Sequence, residues 1–202
     1  METQSFILTA IIGYLIGSIQ PAFFIGKLKG IDIREHGSRN SGAANTTMTL
    51  GWGLGVFTGI VDVLKATFTV LLIANIYPTP EQFSILPFWG GAMSIIGHNY
   101  PFYMGFKGGK GTASAIGIIL AYDLTWGLVM IGVIIASTII TNYLVIGTIN
   151  IYIVMVCLAV FKYAHAEIIY ISIFLAALGV YKHRKNLIQI KNGTEPTFRS
   201  TL

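Results

Sequence analysis

The residues best suited to chemistry form a short glycine- and lysine-rich segment at 105–111, Gly-Phe-Lys-Gly-Gly-Lys-Gly. Glycine tolerates backbone conformations in which successive N–H groups converge on an anion, and Lys107 and Lys110 add two positive charges. The apolar run from Ala113 is typical of a helix, whose N-terminus favours negative charge. The segment therefore predicts a site for phosphate or carboxylate. It is not a nucleotide P-loop, because Gly111 follows Lys110 where that pattern requires Ser or Thr.

A basic loop that touches lipid headgroups is the simpler interpretation of this segment. It accounts for the lysines but not for four glycines, which cost backbone entropy unless a conformation requires them. We therefore expect Gly108, Gly109 and Lys110 to bind an anion together with Lys107.

A second polar segment, residues 37–47, combines two glycines with small hydroxyl and amide side chains. This composition favours turns, helix caps and close approach of the backbone to a ligand. By itself it is typical of a flexible loop between helices. Asp32 and Arg34 precede it, however, and Arg39 lies within it, so the segment carries charge as well as conformational freedom.

A third polar segment, residues 181–186, reads Tyr-Lys-His-Arg-Lys-Asn and follows the last apolar run. Alone, it is typical of the basic flank of a membrane helix. His183 stands out because an imidazole can donate or accept a proton near neutral pH. Asn186, three residues later, is predicted to share a helix face with it.

The rest of the chain is apolar enough to lie in a membrane. Only 10% of the residues are charged, 54% are hydrophobic and the mean hydropathy is +0.72, which leaves too little charge for the surface of a soluble domain. With about 20 apolar residues per crossing, the sequence predicts one all-α integral membrane domain over residues 1–202 with seven transmembrane helices. The third and fourth are short, and the seven span roughly 4–27, 53–77, 83–99, 112–123, 125–141, 143–161 and 165–182. A five-helix interpretation, which merges or demotes some of these pieces, stays open.

Positive charge predicts the orientation of these helices. Basic residues cluster after the first, third and seventh predicted helices, whereas the connections at 75–84 and around Asp123 have no Lys or Arg. Seven crossings place all three clusters in the cytoplasm, with the N-terminus outside and the C-terminus inside. The net charge of +5 then follows from topology, and a nucleic-acid partner is not expected.

Two charged residues, Asp62 and Lys65, lie three positions apart within the second predicted helix. Charge at this depth is costly, so such residues usually pair and face a polar cavity. A functional pair and a purely structural ion pair are both open interpretations.

The residue types also exclude several kinds of catalysis. No Cys/His cluster has the spacing of metal ligands, and no Gly-x-Ser-x-Gly elbow is present. The single cysteine, Cys157, lies inside an apolar run, so a covalent acyl intermediate is not expected. We expect neither a metal nor a cofactor, and direct transfer between two bound substrates fits better.

Taken together, the three polar segments make the chain resemble the bacterial acyl-phosphate–glycerol-3-phosphate acyltransferase (PlsY) family. The most specific match is Gly-His-x-x-Pro-x-x-x-Gly-Phe-Lys-Gly-Gly-Lys-Gly from Gly97, followed by His183-Arg-x-Asn186. The resemblance implies a multi-pass bacterial cell-membrane enzyme with its active site facing the cytoplasm. Its partners would be acyl-phosphate, glycerol 3-phosphate and the lipid bilayer, and its product lysophosphatidic acid, with no metal required.

The resemblance also assigns site residues. His183, Lys107 and Ser38 would be catalytic, and the proton of the attacking hydroxyl would go to His183 or to a substrate phosphate oxygen. The residues implied in binding the substrates and their phosphates are Asn40, Asn45, Gly108, Gly109, Lys110, His98, Asn186 and Arg39.

Several positions depart from the family pattern. Arg39 stands where a glycine is usual and Met48 where an arginine is usual. Asn142 and Val145 stand where the family has Arg and Ser between the fifth and sixth helices. These losses of charge and hydroxyl motivate two alternatives: a divergent paralogue that acylates another acceptor, and a non-catalytic membrane protein that binds a phosphate-bearing ligand.

Overall fold

The computed structural model describes residues 3–79 and 84–201, and within these ranges the chain is all-helical. The helices, in chain order, are α1 (Thr3–Gly17), α2 (Pro21–Leu28), α3 (Ala43–Leu50), α4 (Trp52–Ile76), α5 (Ile85–Asn99), α6 (Thr112–Tyr122), α7 (Leu124–Thr141), α8 (Leu144–Leu158) and α9 (Ala166–Lys191). A π-helical turn, Ala159–Tyr163, extends α8, and short 3₁₀ turns cover Ile33–Glu35, Phe102–Met104 and Arg199–Thr201.

Five helical segments in the described ranges are long and apolar enough to cross a membrane. They are Thr3–Leu28, Trp52–Ile76, Leu124–Thr141, Leu144–Tyr163 and Ala166–Lys191. The shorter helices α5 and α6 lie where the sequence predicts two short crossings; the first residue of the predicted 83–99 segment lies outside the described residues. At 1.5 Å per residue, the 11-residue α6 is about 16 Å long, roughly half of a bilayer core.

The first long segment is broken near its end, where Gln20 is followed by the helix-breaking residue Pro21. Helix α1 stops at Gly17 and α2 restarts with Pro21 at its first position, where the missing N–H costs nothing. The break frees backbone carbonyls, and side chains from other elements satisfy them. The Tyr103 hydroxyl donates to the Ser18 carbonyl at 2.7 Å, and the Lys65 ammonium donates to the Ile19 carbonyl at 2.6 Å.

Two parts of the predicted helix pattern are wrong. Helix α3 occupies residues of the segment expected to be a loop. It begins after Gly42, and its Thr46 and Thr47 hydroxyls bond back to carbonyls one turn earlier. Helix α9 continues to Lys191, beyond the predicted end at residue 182, and His183 and Asn186 lie on the same helix as predicted.

Close packing of α1 against α5 fixes the end of α5 that carries His98. Glycines make this approach possible, as is common for membrane helices. A Cβ built on Gly97 would lie 2.1 Å from the Tyr14 carbonyl oxygen, and one on Gly17 would lie 2.1 Å from the Ser94 carbonyl oxygen. Buried apolar side chains of α4, α5, α6, α8 and α9 form the main core beside this contact. The α5 end and the glycine-lysine segment after it are therefore anchored on a rigid frame.

Candidate active site

A buried group of charged and polar side chains lies beneath the end of α5. The Lys65 Nζ is 2.7 Å from Asp62 Oδ1, 2.9 Å from His98 Nδ1 and 2.6 Å from the Ile19 carbonyl oxygen. All three side chains are buried. The predicted Asp62–Lys65 pair is confirmed, and the structure adds His98 as its third member.

Gln20 connects this buried group to the segment before α3. Its Nε2 donates to the His98 carbonyl at 2.9 Å, and its Oε1 accepts a hydrogen bond from the Ser41 hydroxyl at 3.0 Å. Gln20 and Ser41 are both fully buried. The sequence signals Gln20 only as a polar residue beside Pro21, and it gives no signal for this role of Ser41.

Asn45 shapes the 37–47 segment from within. Its Nδ2 donates to the carbonyls of Ile33 and Asn40 at 2.8 and 2.7 Å, and its Oδ1 accepts from the Ser38 N–H at 2.7 Å. The side chain is buried and both amide atoms are in use. The prediction that Asn45 binds phosphate therefore needs correction, because its amide positions the segment on which Ser38 and Asn40 lie.

Ser38 and Arg39 lie on the exposed surface of this segment. Arg39 has φ +57°, in the left-handed region that favours glycine, although it carries a full side chain. No side-chain hydrogen bond or ion pair holds Arg39 to other residues in the described ranges, which leaves its guanidinium free to meet a ligand.

Arg34, just before the 37–47 segment, contacts Met104, just before the glycine-lysine segment. It forms a bidentate pair with Asp32, whose shortest N–O distance is 2.7 Å, and its Nη1 donates to the Met104 carbonyl at 2.8 Å. The Arg34 guanidinium holds the pKa of the Asp32 carboxyl below its usual value. The residues just before the two segments predicted to share a site are thus in direct contact.

The glycine-lysine segment is folded differently from the predicted anion nest. The N–H groups of Gly108 and Gly109 donate to the carbonyls of Asn99 and His98 at 3.2 and 2.9 Å, so they do not point at a ligand. In the part of the chain that the structure describes, the N–H groups of Gly111, Thr112 and Ala113 have no backbone partner. These are the free donors of the first turn of α6. The predicted nest of Gly108 and Gly109 N–H groups is therefore wrong, and the free backbone donors lie at the α6 N-terminus.

Lys110 is held toward α9. Its Nζ donates to Asn186 Oδ1 at 2.6 Å, and Asn186 Nδ2 donates to both carboxylate oxygens of Glu195 at 2.8 and 3.0 Å. Burial lowers the pKa of Lys110, while the Glu195 charge acts against that change. Lys107, by contrast, is exposed and has no side-chain partner in residues 3–79 and 84–201. The sequence gives no signal for Glu195.

His183 lies on the buried face of α9, one turn from Asn186. Its Nδ1 is 2.9 Å from the Gly179 carbonyl oxygen, which can only accept, so Nδ1 carries a hydrogen. In the neutral ring Nε2 is then an acceptor. Lys182 donates to the Asn99 carbonyl at 3.3 Å and so ties this part of α9 to the end of α5.

Within the described ranges, no hydrogen bond joins Ser38 or Lys107 to His183. Nor do those ranges contain a group of three or more His, Cys, Asp and Glu that could hold a metal ion. The polar side chains of the candidate site are gathered at the α5 end, the α6 start and α9.

A family model described as glycerol-3-phosphate acyltransferase matches residues 7–193, nearly the whole chain. The chain belongs to the glycerol-3-phosphate acyltransferase family. Two curated members of this family show how far the similarity extends. Glycerol-3-phosphate acyltransferase 1 of Oceanobacillus iheyensis is 39% identical over 202 residues, covering 98% of this chain and 96% of that protein. The enzyme of Halalkalibacterium halodurans is 39% identical over 189 residues, covering 90% of each chain.

Solved structures of a glycerol-3-phosphate acyltransferase have the same fold. The glycerol 3-phosphate form of PlsY (YgiH), an integral membrane glycerol 3-phosphate acyltransferase, superposes with a TM-score of 0.88 at 32% identity and covers 96% of both chains. Its lysophosphatidic acid form gives a TM-score of 0.85 at 32% identity over 98% of both chains. The chain is therefore an all-helical integral membrane protein of this bacterial acyltransferase family.

One departure from the glycerol-3-phosphate acyltransferase pattern has a structural consequence. Asn142, where the family has arginine, ends α7 at φ +65°. Its carbonyl accepts from the Phe198 N–H at 2.8 Å and its Oδ1 accepts from the Arg199 N–H at 2.9 Å. The asparagine thus binds the C-terminal segment, the same segment that supplies Glu195. Nothing in the structure explains Val145 or Met48.

Proposed function

We propose that this protein transfers a fatty acyl group from acyl-phosphate to the 1-hydroxyl of glycerol 3-phosphate, releasing phosphate and forming lysophosphatidic acid. The observation that carries the proposal is the free first turn of α6 beside Lys110. Unpaired N–H groups and an ammonium there suit a phosphate, and both substrates bear one. Stabilising the phosphate as it leaves lowers the barrier for attack on the acyl carbonyl.

The site residues divide into those that touch substrate and those that hold them in place. Lys107, Lys110, Ser38 and the α6 N-terminus bind phosphate in this proposal, with Asn40 and Arg39 closing the exposed side. Asn45 holds the Ser38 segment, and Asn186 orients Lys110. Gly108 and Gly109 let the backbone approach the end of α5 closely.

His183 Nε2 accepts the proton of the attacking hydroxyl in this proposal. With Nδ1–H bonded to the Gly179 carbonyl, the neutral ring presents a lone pair at Nε2. A lone pair matches a hydroxyl donor, whereas an ionised phosphate oxygen would need a donor in its place. The substrate is therefore oriented with its phosphate at Lys110 and its hydroxyl at His183, which gives each of these side chains a matching hydrogen-bond partner.

The same proposal includes the topology: seven crossings, and an active site facing the cytoplasm with the N-terminus outside. The Arg34–Met104 and Lys110–Asn186 contacts join the three basic segments to one another. Segments in direct contact lie on the same side of the membrane, and the excess of Lys and Arg there favours the cytoplasm.

The acyl chain has a place in an apolar groove of about 380 Å³ that starts at the α6 N-terminus and runs between α4 and α7. Its lining is formed by Val56, Gly59, Ile60, Val63, Leu64, Ala113 and Ile131. Because Ala113 directly follows the first residue of α6, the groove begins beside the proposed phosphate site.

Filling this groove should change chain-length preference. Ala113→Phe is expected to lower kcat/KM for palmitoyl-phosphate relative to acetyl-phosphate, which has no long chain to enter the groove, by about tenfold or more, since displacing two or three methylenes costs about 0.8 kcal/mol each. Competition assays with the two donors measure the ratio. Val129→Phe, on the exposed face of α7, is the matched control and should leave it unchanged. An unchanged ratio in Ala113→Phe would place the acyl chain elsewhere.

The proposed function is tested directly with purified protein in lipid, given palmitoyl-phosphate and glycerol 3-phosphate. Formation of lysophosphatidic acid with stoichiometric phosphate release is the expected result. Acylation of a different acceptor instead would favour the divergent paralogue. No turnover with any acceptor, combined with retained binding of glycerol 3-phosphate, would favour the non-catalytic protein.

Arg39 offers a second test of the exposed side of the site. Arg39→Gly should raise stability by about 1 kcal/mol, because glycine adopts φ +57° without steric cost. It should also raise KM for glycerol 3-phosphate severalfold through the lost charge. Thermal unfolding and steady-state kinetics measure the two effects, with Lys29→Gly as a control for loss of an exposed charge. An unchanged KM would remove Arg39 from the binding site.

A further inference from the structure

The buried pair Asp62–Lys65 has no part in the proposed reaction as described so far, yet it lies directly against His98. We propose that Asp62 and Lys65 are positioning residues that fix His98 in its Nε2–H tautomer, so that a neutral imidazole donates a hydrogen bond to a substrate phosphate. This inference rests on the proposed phosphate site. It gives the buried pair a role that a structural ion pair does not have.

The contacts of Lys65 determine which nitrogen of His98 carries the hydrogen. An ammonium can only donate, and the hydrogen bonds of Lys65 Nζ go to the Ile19 carbonyl at 2.6 Å and to His98 Nδ1 at 2.9 Å. Asp62 Oδ1, 2.7 Å away, is its ion-pair partner. Because Lys65 has no acceptor to offer, His98 Nδ1 must present its lone pair to it.

Gln20 adds a second donor on the same side of the ring. The amide atom that lies 2.9 Å from the His98 carbonyl must be Nε2, because a carbonyl only accepts, and Oε1 then accepts from the Ser41 hydroxyl. That nitrogen donates to the His98 carbonyl and lies 3.5 Å from His98 Nδ1. Two donors thus face Nδ1. In the opposite tautomer, Nδ1 carries the hydrogen and donates to Asp62 Oδ1, 3.3 Å away. That N–H would then face the Lys65 ammonium, which is nearer at 2.9 Å and is also a donor.

The hydrogen on His98 is consequently at Nε2, and this atom lies beneath the glycine-lysine segment. A Cβ built on Gly109 would be only 1.9 Å from Nε2, so the ring edge fills the space that glycine leaves. Among the described residues, Nε2 has no hydrogen-bond partner. Nε2 is thus a donor without a partner that contacts Gly109, the residue before Lys110, and an oxygen of a phosphate bound at the proposed site would satisfy it.

The arrangement also explains why the pair carries both charges. Asp62 stabilises Lys65 as an ammonium in a buried place, and the ammonium holds the imidazole by its Nδ1 lone pair. His98 thereby donates toward phosphate, while His183, tied by its Nδ1–H to Gly179, accepts from hydroxyl. The two histidines have opposite tautomers and are suited to different parts of the same substrate.

Nitrogen-15 NMR of histidine-labelled protein in lipid tests the tautomer without any variant of the pair. The His98 resonances are assigned by their loss in His98→Gln. The expected result is a neutral ring with hydrogen on Nε2, whose resonance shifts when glycerol 3-phosphate or palmitoyl-phosphate is added alone. Hydrogen on Nδ1, a cationic ring, or no response to either ligand would overturn the inference.

The double variant Asp62→Asn/Lys65→Met tests the cause, because it removes both charges and leaves neither one buried alone. We expect a mixed His98 tautomer and a rise in KM for glycerol 3-phosphate of about tenfold to a hundredfold, the range for a hydrogen bond to a charged group. Thr58→Val, a buried α4 residue whose hydroxyl bonds only the Leu54 carbonyl, should change neither. A lowered melting temperature with unchanged tautomer and KM would mean that the pair is structural only. Turnover of the wild-type protein is measured in parallel, so that a failure of the proposed acyl transfer is distinguished from a failure of the inference about His98.

Discussion

Gly109→Ala is expected to lower kcat/KM for glycerol 3-phosphate by about a hundredfold, the cost of a misplacement near 1 Å at a reacting site. The added Cβ would lie 1.9 Å from His98 Nε2, 2.6 Å from Cε1 and 2.8 Å from Cδ2. The imidazole cannot simply turn away, because Lys65 and Gln20 hold its other edge. The glycine-lysine segment must therefore shift, and Lys110 shifts with it.

The main effect should be on binding, so KM for glycerol 3-phosphate rises more than kcat falls. Gly53→Ala is the matched control: it lies at the start of α4, a Cβ there meets nothing within 4 Å, and its backbone is helical. That variant should keep wild-type kinetics and gain up to about 1 kcal/mol of stability from better helix propensity. Equal kinetics for the two variants would mean that the close contact with His98 has no bearing on the site.

The same contact shows what sequence alone could predict. Residue types and spacing predict an anion site at the glycine-lysine segment, and hydropathy located the long apolar helices. The spacing could not show that Gly108 and Gly109 use their N–H groups on the end of α5. That depends on how residues 100–107 turn back, and the N–H groups of α6 take over as the free donors.

The predicted helix bounds are wrong where the local composition favours a different structure from the one that tertiary packing stabilises. Helix α3 is rich in Thr and Asn, which favour turns when isolated, but Thr47 packs so closely on Gly55 of α4 that a Cβ there would lie 1.9 Å from its hydroxyl. Helix α9 carries its basic residues beyond the apolar run, so hydropathy ends the helix too early.

Contacts between residues that are distant in the sequence could not be predicted either. The Asp62–Lys65 pair follows from spacing on one helix. The Lys110–Asn186 bond spans 76 residues and the Lys65–His98 contact spans 33. Both depend on the packing of helices that the sequence predicts individually but does not arrange.

His183→Ala should have the largest effect on the chemical step, lowering kcat by about 10²- to 10⁴-fold, the usual contribution of a general base. The Gly179 carbonyl fixes Nδ1 as the protonated nitrogen, and the neutral ring then has a lone pair at Nε2 to take the hydroxyl proton. KM for palmitoyl-phosphate should change little, because that substrate has no hydroxyl to present. Pre-steady-state measurement of acyl transfer separates this step from product release.

Two further variants decide between His183 and a substrate phosphate oxygen as the proton acceptor. His183→Gln keeps a polar side chain but cannot carry the proton, so it should be nearly as slow as His183→Ala if the imidazole is the base. If instead the substrate's own phosphate takes the proton, both variants should lose less than about tenfold, the effect of one lost neutral hydrogen bond. Arg184→Ala is the control on the same helix: its side chain bonds only the Tyr181 carbonyl and stacks on the Tyr181 ring, 4.0 Å from the centroid. It should retain full activity, because its charge is exposed and points away from the buried face that carries His183.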